Sequence, residues 1–278
     1  WSDLLGQDHA RKYYERVVRE FADQKEVAAE ARARLDVLAK VANPNTSPAR
    51  RLAIDWAGRS RQIYGGNITR DGRHWLRYNA EQRAFELFEI GTNNVRRLLA
   101  DGPSRAEGRV GSGHLSNDGR KVAAQVSIRK PGSASEFEFE RAELRVFDVD
   151  GRGPGRVLAM WEGQALGQWG VRPFDWSPRN DRIWVFVFRK DQSAQIASVD
   201  MNGKLEVLKT LTWRNSTQAP SLSPDGRFVA YDDVTDRKSP RDLYILATDG
   251  SREERLDDPA DDRQPMFLPD GSGVVFMS

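Results

Sequence analysis

Apolar positions recur along this chain in two rhythms. Between Ala10 and Val41 the spacing is helical: Ala10, Tyr13, Tyr14, Val17, Val18 and Phe21 form one stripe, and Val27, Ala28, Ala31, Leu35, Leu38 and Val41 a second. Two amphipathic helices are predicted, with Asp8 and Asp23 at their N-caps and a turn over Ala22–Lys25, so the segment reads as an antiparallel helical hairpin. The prolines and small polar residues of Ala42-Asn43-Pro44-Asn45-Thr46-Ser47-Pro48 end that pattern. They divide the chain into a helical hairpin at 1–42, a linker at 43–49 and a second domain at 50–278. In the second domain the apolar runs are short: Trp75-Leu76, Val122-Ala123-Ala124, Ile183 to Phe188, Phe228-Val229-Ala230-Tyr231 and Val274 to Met277. Runs of this length without clean alternation predict strands covered on both faces.

Each run follows directly on a turn cluster. The fullest is Ser223-Pro224-Asp225-Gly226-Arg227, and the others are Thr69-Arg70-Asp71-Gly72-Arg73, Ser116-Asn117-Asp118-Gly119-Arg120, Ser177 to Arg182 and Leu268-Pro269-Asp270-Gly271-Ser272. Counted through Asp71, Asp118, Asn180, Asp225 and Asp270, the spacings are 47, 62, 45 and 45 residues. This is a repeat with one lengthened interval. Proline presets φ, aspartate tolerates the next corner, and glycine supplies the left-handed residue, so each cluster is read as the tip of a three-residue hairpin with a bulge. A third strand follows in each unit (Phe85–Phe88, Leu144–Phe147, Ile196–Val199, Leu243–Leu246). A Gly/Asn/Asp turn then leads to a fourth strand marked by Val95 and Leu98, Val157 and Leu158, Val207 and Leu208, and Leu256. Four strands per mid-forties repeat predicts a mainly β protein: a β-propeller with four complete blades and a partial fifth.

These repeats resemble the WD-like blades of TolB-type propellers, in which the Ser-Pro-Asp-Gly-Arg hairpin joins the first two strands of a blade. The likeness runs over about residues 47–278. It departs where Arg70 and Asn117 replace proline, where the third copy reads as stretched by Arg179-Asn180-Asp181, and where Ser272 ends the fifth. The helical segment, through Ala10 to Phe21 and Ala28 to Leu35, resembles the last unit of a tetratricopeptide-type array. Arg51 to Trp56 reads as a strand outside any complete repeat, of the kind that closes a ring against its last blade. Insertions at Arg129–Glu136 and Trp161–Gly170 account for the long interval. An opening on Trp1 and a halt after the second strand of the fifth blade are read as those of an excised piece.

Composition narrows the function. Forty-three Lys and Arg against 41 Asp and Glu give a formal charge of +2, and the basic residues are scattered, which argues against nucleic acid as partner. With no cysteine, disulfides and thiolate chemistry are excluded, and the run Ile183–Phe188 is too short to span a bilayer. Around Ser112 the outer glycines of a nucleophile elbow are missing, and Gly203-Lys204-Leu205 lacks the rest of a phosphate loop. His9, His74 and His114 are scattered, with His114 read as a strand-edge residue. The acidic run Asp257–Asp262 lacks calcium-loop spacing and reads as a solvated loop. No catalytic residue, metal or cofactor is assigned.

The eight tryptophans divide by position. Trp75 and Trp184 sit in core strands, and Trp176, just before a hairpin, is placed at the ring's centre. Trp169 with Arg172, and Trp213 with Arg214, fall in connections and form the candidate partner-binding face, since aromatic and arginine side chains anchor interfaces. Asp71, Gly72, Asp118, Gly119, Pro224, Asp225, Gly226, Pro269, Asp270 and Gly271 are assigned to the turns alone. The expected function is a non-catalytic scaffold for a protein or peptide partner. The TolB-type resemblance adds a periplasmic or envelope setting. Two alternatives place chemistry outside the chain: a gating propeller of a prolyl-oligopeptidase-like hydrolase, or a kinase-linked sensor.

Overall fold

The computed structural model describes residues 7–21, 24–41, 68–69, 72–79, 84–90, 92, 94–98, 108–133, 138–150, 153–163, 166–211, 220–234, 239–256 and 261–277. The chain divides into two compact units, Trp1–Ile54 and Asp55–Ser278. In the first, α1 (Gln7–Glu20) and α2 (Lys25–Val41) pack on each other. Ala28 and Ala31 are buried, and small side chains there let α2 approach its neighbour closely. Helix α1 begins at Gln7, so Asp8 falls inside its first turn instead of capping it. Asp23 lies outside the described residues, as do Arg51 to Trp56, the expected closing strand.

The second unit is a β-propeller built from antiparallel meanders. Blade 1 contains β1 (His74–Asn79), β2 (Ala84–Glu89) and β3 (Val95–Leu98), with Ile68 bridged to Trp75 where a first strand would run. Blade 2 has four strands, β4 (Gly108–Leu115), β5 (Lys121–Arg129), β6 (Phe139–Asp148) and β7 (Arg156–Glu162). Blade 3 follows with β8 (Leu166–Trp176), β9 (Arg182–Arg189), β10 (Ala194–Asp200) and β11 (Leu205–Leu211). Blade 4 comprises β12 (Ser221–Leu222), β13 (Phe228–Val234), β14 (Arg241–Ala247) and β15 (Glu253–Leu256), and blade 5 pairs β16 (Arg263–Phe267) with β17 (Val274–Met277).

The apolar runs do lie between two neighbours, and the pleat sorts them. In β5, Val122, Ala124 and Val126 join Leu76, Phe85 and Leu87 of blade 1, while Ala123 faces blade 3. In β9, Ile183, Val185 and Val187 pack on Leu144 and Val146 of blade 2, whereas Trp184, Phe186 and Phe188 pack on Val229, Tyr231 and Leu246 of blade 4. Six consecutive buried residues thus serve two cores, each contributing ~1.5–3 kcal/mol. Trp176 is fully buried in the core between blades 2 and 3, its Nε1 donating to the carbonyl of His114 at 3.0 Å, and so does not line the ring's centre. Trp75 is half-buried on Phe88, and Trp184 is buried.

Two readings of the turns are corrected by the backbone. The hairpin loops hold four residues: Ser116 pairs with Lys121 across Asn117 to Arg120, the amide of Gly119 donating to the Ser116 carbonyl at 2.9 Å. The third copy is not stretched. Asn180 occupies the glycine position with φ 57°, beside 71° at Gly119 and 76° at Gly226, and asparagine is the non-glycine residue that tolerates this region best. Nor is Trp161–Gly170 a loop insertion. Trp161 belongs to β7 and Leu166–Gly170 to β8, whose glycines accommodate a bulge.

Candidate functional site

In an antiparallel meander the first and third turns of a blade lie at one end and the second turn and exit at the other. At the first, or hairpin, end the repeated residues serve the fold. The Ser116 carbonyl is diverted to Gly119, so the amide of Lys121 donates instead to Ser116 Oγ at 2.9 Å, and that hydroxyl donates to Asp118 Oδ1 at 2.6 Å. Ser223 repeats this with Phe228 and Asp225 at 2.9 and 2.6 Å, Ser177 with Arg182 and Asp181, and Thr69 accepts from His74 at 3.0 Å. The hydroxyl at the head of four motifs was passed over in the sequence reading, although Thr69, Ser116, Ser177 and Ser223 line up there. The Ser223 hydroxyl, joined by the Arg227 amide, holds the Asp225 carboxyl below its ordinary range. At Asp118 burial opposes, but the Ser116 hydroxyl and Arg120 amide outweigh it. Asp270 accepts from Ser272 at 2.9 Å. Asp71 lies outside the described residues, and Gly72 and Gly271 take the left-handed conformation.

The tips also contact one another from blade to blade. A Cβ on Gly226 would stand 2.6 Å from Pro178 Cδ, and one on Gly271 would stand 3.8 Å from Pro224 Cδ. Between blades 2 and 3 the Pro–Gly pair is replaced by Asn117 and Asn180. Asn117 donates to Asn180 Oδ1 from its backbone N (3.0 Å) and from Nδ2 (3.1 Å), and Nδ2 also reaches the Ser177 carbonyl at 2.9 Å. The outer strands link in parallel: Arg96 to Asp150 at 2.5 Å, Arg156 to the Met201 carbonyl at 2.9 Å and Lys209 to Glu253 at 2.7 Å.

The opposite end departs from the repeat at blades 2 and 3. In β8, Leu166 pairs with Arg189 and Val171 with Val187, so Gly167, Gln168, Trp169 and Gly170 stand against the single residue Phe188. Its neighbour β4 is bulged between Val110 and Gly113. Gln125, buried and donating to Ser127 Oγ at 2.9 Å, sits between the bulges, with a Cβ on Gly111 or Gly170 falling within 3.0 Å of its amide. Bulges of this kind re-aim side chains. Trp169 therefore belongs to the bulge and Arg172 to the regular part of β8, so neither lies in a connection. The guanidinium of Arg172 lies 5.7 Å from the Phe188 ring centroid, and burial lowers its pKa. Trp213 and Arg214 lie outside the described residues.

Three further cations at this end were passed over in the sequence reading. Both strands close on the same dipeptide, Arg129 as the last residue of β5 with Lys130 following and Arg189 as the last of β9 with Lys190 following. Arg129 donates from Nη2 to the Ser133 carbonyl at 3.1 Å, and its Nε is buried with no acceptor. Arg129, Arg189 and Lys190 have no carboxylate partner among the described residues. Lys130 pairs with Glu138 at 3.2 Å, while Asp191 is taken up by the amide and hydroxyl of Ser193. Arg109 stacks 4.9 Å from the ring centroid of Phe139, the residue paired with Arg129.

The buried carboxylates Glu86, Glu143, Asp232 and Asp242 each face an arginine: Arg77, Arg141 with Arg145, Arg241 and Arg255. His114 lies within β4 opposite Ala123, its Nδ1 buried without a partner, and burial pushes its pKa down to about 4. Ser112 sits in the β4 bulge. Of the acidic run, Asp261 accepts from the Arg241 amide at 2.9 Å and pairs with Arg263, and Asp262 is fully buried, not solvated. Asp257 and Asp258 lie outside the described residues. A cleft of about 330 Å³ at the hairpin end of blade 4 is floored by Phe228, with Arg227 and Arg252 each 5.4 Å from its centroid. Both arginines already face carboxylates, Asp225 and Glu254. Among the described residues, no group of three His, Asp or Glu is placed to hold a metal, and no helix is long and apolar enough to cross a membrane.

No protein-family model and no curated protein sequence matches the chain. Solved structures do. A putative TolB from Agrobacterium tumefaciens is similar over 77% of this chain and 69% of its own, with 20% identity and a TM-score of 0.56. TolB from Acinetobacter baumannii is similar over 77% of this chain but only 48% of its own, with 18% identity and a TM-score of 0.53. A nidogen/laminin complex gives 13% identity and a TM-score of 0.53 over 77% of this chain and 71% of the matched one. At these identities the likeness establishes the β-propeller fold.

Proposed function

We propose that the chain is a non-catalytic, TolB-like β-propeller scaffold of the cell envelope that binds a protein or peptide. Its partner-binding face is formed by Trp169, Arg172, Trp213 and Arg214, of which Trp169 and Arg172 belong to β8, in the half of the strand remote from its hairpin. The observation that carries this reading is the four-residue bulge of β8, which interrupts the repeat at a tryptophan. The repeated hairpins, by contrast, use their polar groups within turns and between blades. The envelope setting is carried over from the TolB-type resemblance of the repeats, and the likeness to a chain of a nidogen/laminin complex is in keeping with a protein partner. The helical hairpin at 1–42 is the end of a tetratricopeptide-like array, joined through 43–49 to the propeller over 50–278.

A photo-crosslinking residue placed at Trp169 or Trp213 should yield partner adducts in cells, and one at Asp225 should not. Trp169→Ala and Trp213→Ala should each reduce capture of that partner at least tenfold. Equal adducts at Asp225, or unchanged capture by both variants, would show that the face is wrongly chosen.

A further inference from the structure

Resting on that reading, we infer that the partner presents an acidic peptide segment, whose carboxylates are received by Arg129, Arg189 and Lys190. The argument begins from recurrence. Arg129 is the last residue of β5 and Arg189 the last of β9, so an Arg-Lys pair closes the second strand of two adjacent blades at the same end, one residue farther from the hairpin motif in β5, where a register shift falls between Ile128 and Arg129. At the hairpin end the counterparts are satisfied: Lys121 by Asp148, Arg182 by Glu206, Arg227 by Asp225. At the remote end the nearby acids are hydrogen-bonded elsewhere, Glu138 by Lys130 and Ser133, Asp191 by Ser193, although Arg189 also helps to lower the Asp191 pKa without forming an ion pair with it. Three positive charges are left without an ion pair at the end of blades 2 and 3 where the β8 bulge lies, Arg129 and Arg189 half-buried and Lys190 exposed.

Arg129 adds a specific demand. Its Nη2 is held by the Ser133 carbonyl, which fixes the guanidinium, and its Nε is buried with no acceptor. A buried donor without an acceptor is costly, and a carboxylate set against a fixed guanidinium forms the stronger, charge-assisted kind of hydrogen bond. Peptide is favoured over nucleic acid by number. Three cations on a chain of formal charge +2 fall short of the six to ten phosphate contacts that sustain duplex binding.

The test titrates the full chain against three fluorescein-labelled twelve-residue peptides that differ only in carrying glutamate, glutamine or lysine at alternate positions, and against a labelled oligothymidine. The glutamate peptide should bind at least tenfold tighter than the glutamine one. Its affinity should fall at least tenfold in the triple variant Arg129→Gln, Arg189→Gln, Lys190→Gln and less than twofold in Arg120→Gln at the hairpin end. Binding of the glutamine peptide that equals the glutamate one and is lost in Trp169→Ala would overturn the acidic partner but leave the face. Tighter binding of oligothymidine than of the glutamate peptide would replace peptide by nucleic acid. No binding of any peptide would overturn the proposed function itself. Circular dichroism and an unchanged unfolding midpoint of the triple variant separate lost binding from lost folding.

Discussion

The Asn117–Asn180 clasp gives a quantitative test of how the blades are joined. At the next two interfaces the same positions hold Pro178 against Gly226 and Pro224 against Gly271. The two departures from the motif, Asn for Pro in one blade and Asn for Gly in the next, should therefore be energetically one. Asn180→Gly alone removes the acceptor of two hydrogen bonds, at 3.0 and 3.1 Å, costing ~2 kcal/mol. Relief of the left-handed φ of 57° returns up to ~1 kcal/mol, so the net loss is ~1–2 kcal/mol. Asn117→Pro alone forfeits the Nδ2 bonds, ~2 kcal/mol. It also sets a ring against the Cβ of Asn180, as Pro178 would meet a Cβ at 2.6 Å, adding ~1–3 kcal/mol of overpacking.

Together the two substitutions recreate the Pro–Gly contact. Proline has no N–H to leave unsatisfied, glycine has no Cβ to clash, and stiffening of the unfolded chain contributes ~0.4–1 kcal/mol. The double variant should lie within ~1 kcal/mol of the parent, and the coupling energy should reach ~3 kcal/mol against an additivity error of ~0.5 kcal/mol. Urea unfolding followed by tryptophan fluorescence measures it, with Trp176 buried at the same interface as reporter. Additive losses, with coupling below ~0.5 kcal/mol, would refute the claim that the paired departures compensate.

Other perturbations test separate parts of the fold. Ser223→Ala strips the acceptor from the Phe228 amide and the donor from Asp225, so it should cost ~1–3 kcal/mol in urea unfolding, more than Ser251→Ala, where the hydroxyl bonds Asp249 at an exposed turn of blade 4. A Cβ on Gly113 would stand 2.3 Å from Phe85 Cζ, so Gly113→Ala should destabilise the chain by ~1–3 kcal/mol, with partial rescue by Phe85→Leu. His114 has a folded pKa depressed from 6.5 to about 4, so its contribution is complete above pH ~6.5 and is lost as pH falls towards 4, up to ~3 kcal/mol. His114→Gln should flatten stability between pH 7 and 4, and an unchanged slope would show that other groups carry it.

The architecture was legible because its sequence code is local. Proline, aspartate and glycine each meet a requirement of the turn, and the apolar run after each turn must be buried on both faces. The misplaced features depend on what lies across a blade. Nothing in Gly167-Gln168-Trp169-Gly170 separates a bulge from a loop, because the difference is whether Leu166 pairs with Arg189. Trp176 was placed at the ring's centre for its position before a hairpin, whereas the His114 carbonyl that takes its indole comes from another blade. The length of the third hairpin was misread because Asn180 stands for glycine, a substitution intelligible only from its φ and from Asn117.

Departures from the repeat can therefore be sorted by whether another blade answers them. Asn117 is answered by Asn180, and Arg96 by Asp150, so those changes are part of the joint between blades and predict effects on stability alone. Arg129, Arg189 and Lys190 close the second strands of two adjacent blades, and none of them forms an ion pair with a carboxylate among the described residues. The buried, unbonded Nε of Arg129 offsets what its single hydrogen bond to the Ser133 carbonyl contributes to the isolated chain. Charge-neutral substitutions there should leave unfolding midpoints unchanged or raised while binding falls, the opposite of the pattern expected at Asn117 and Asn180. The two classes of departure are thus separable by measuring stability and binding on the same set of variants.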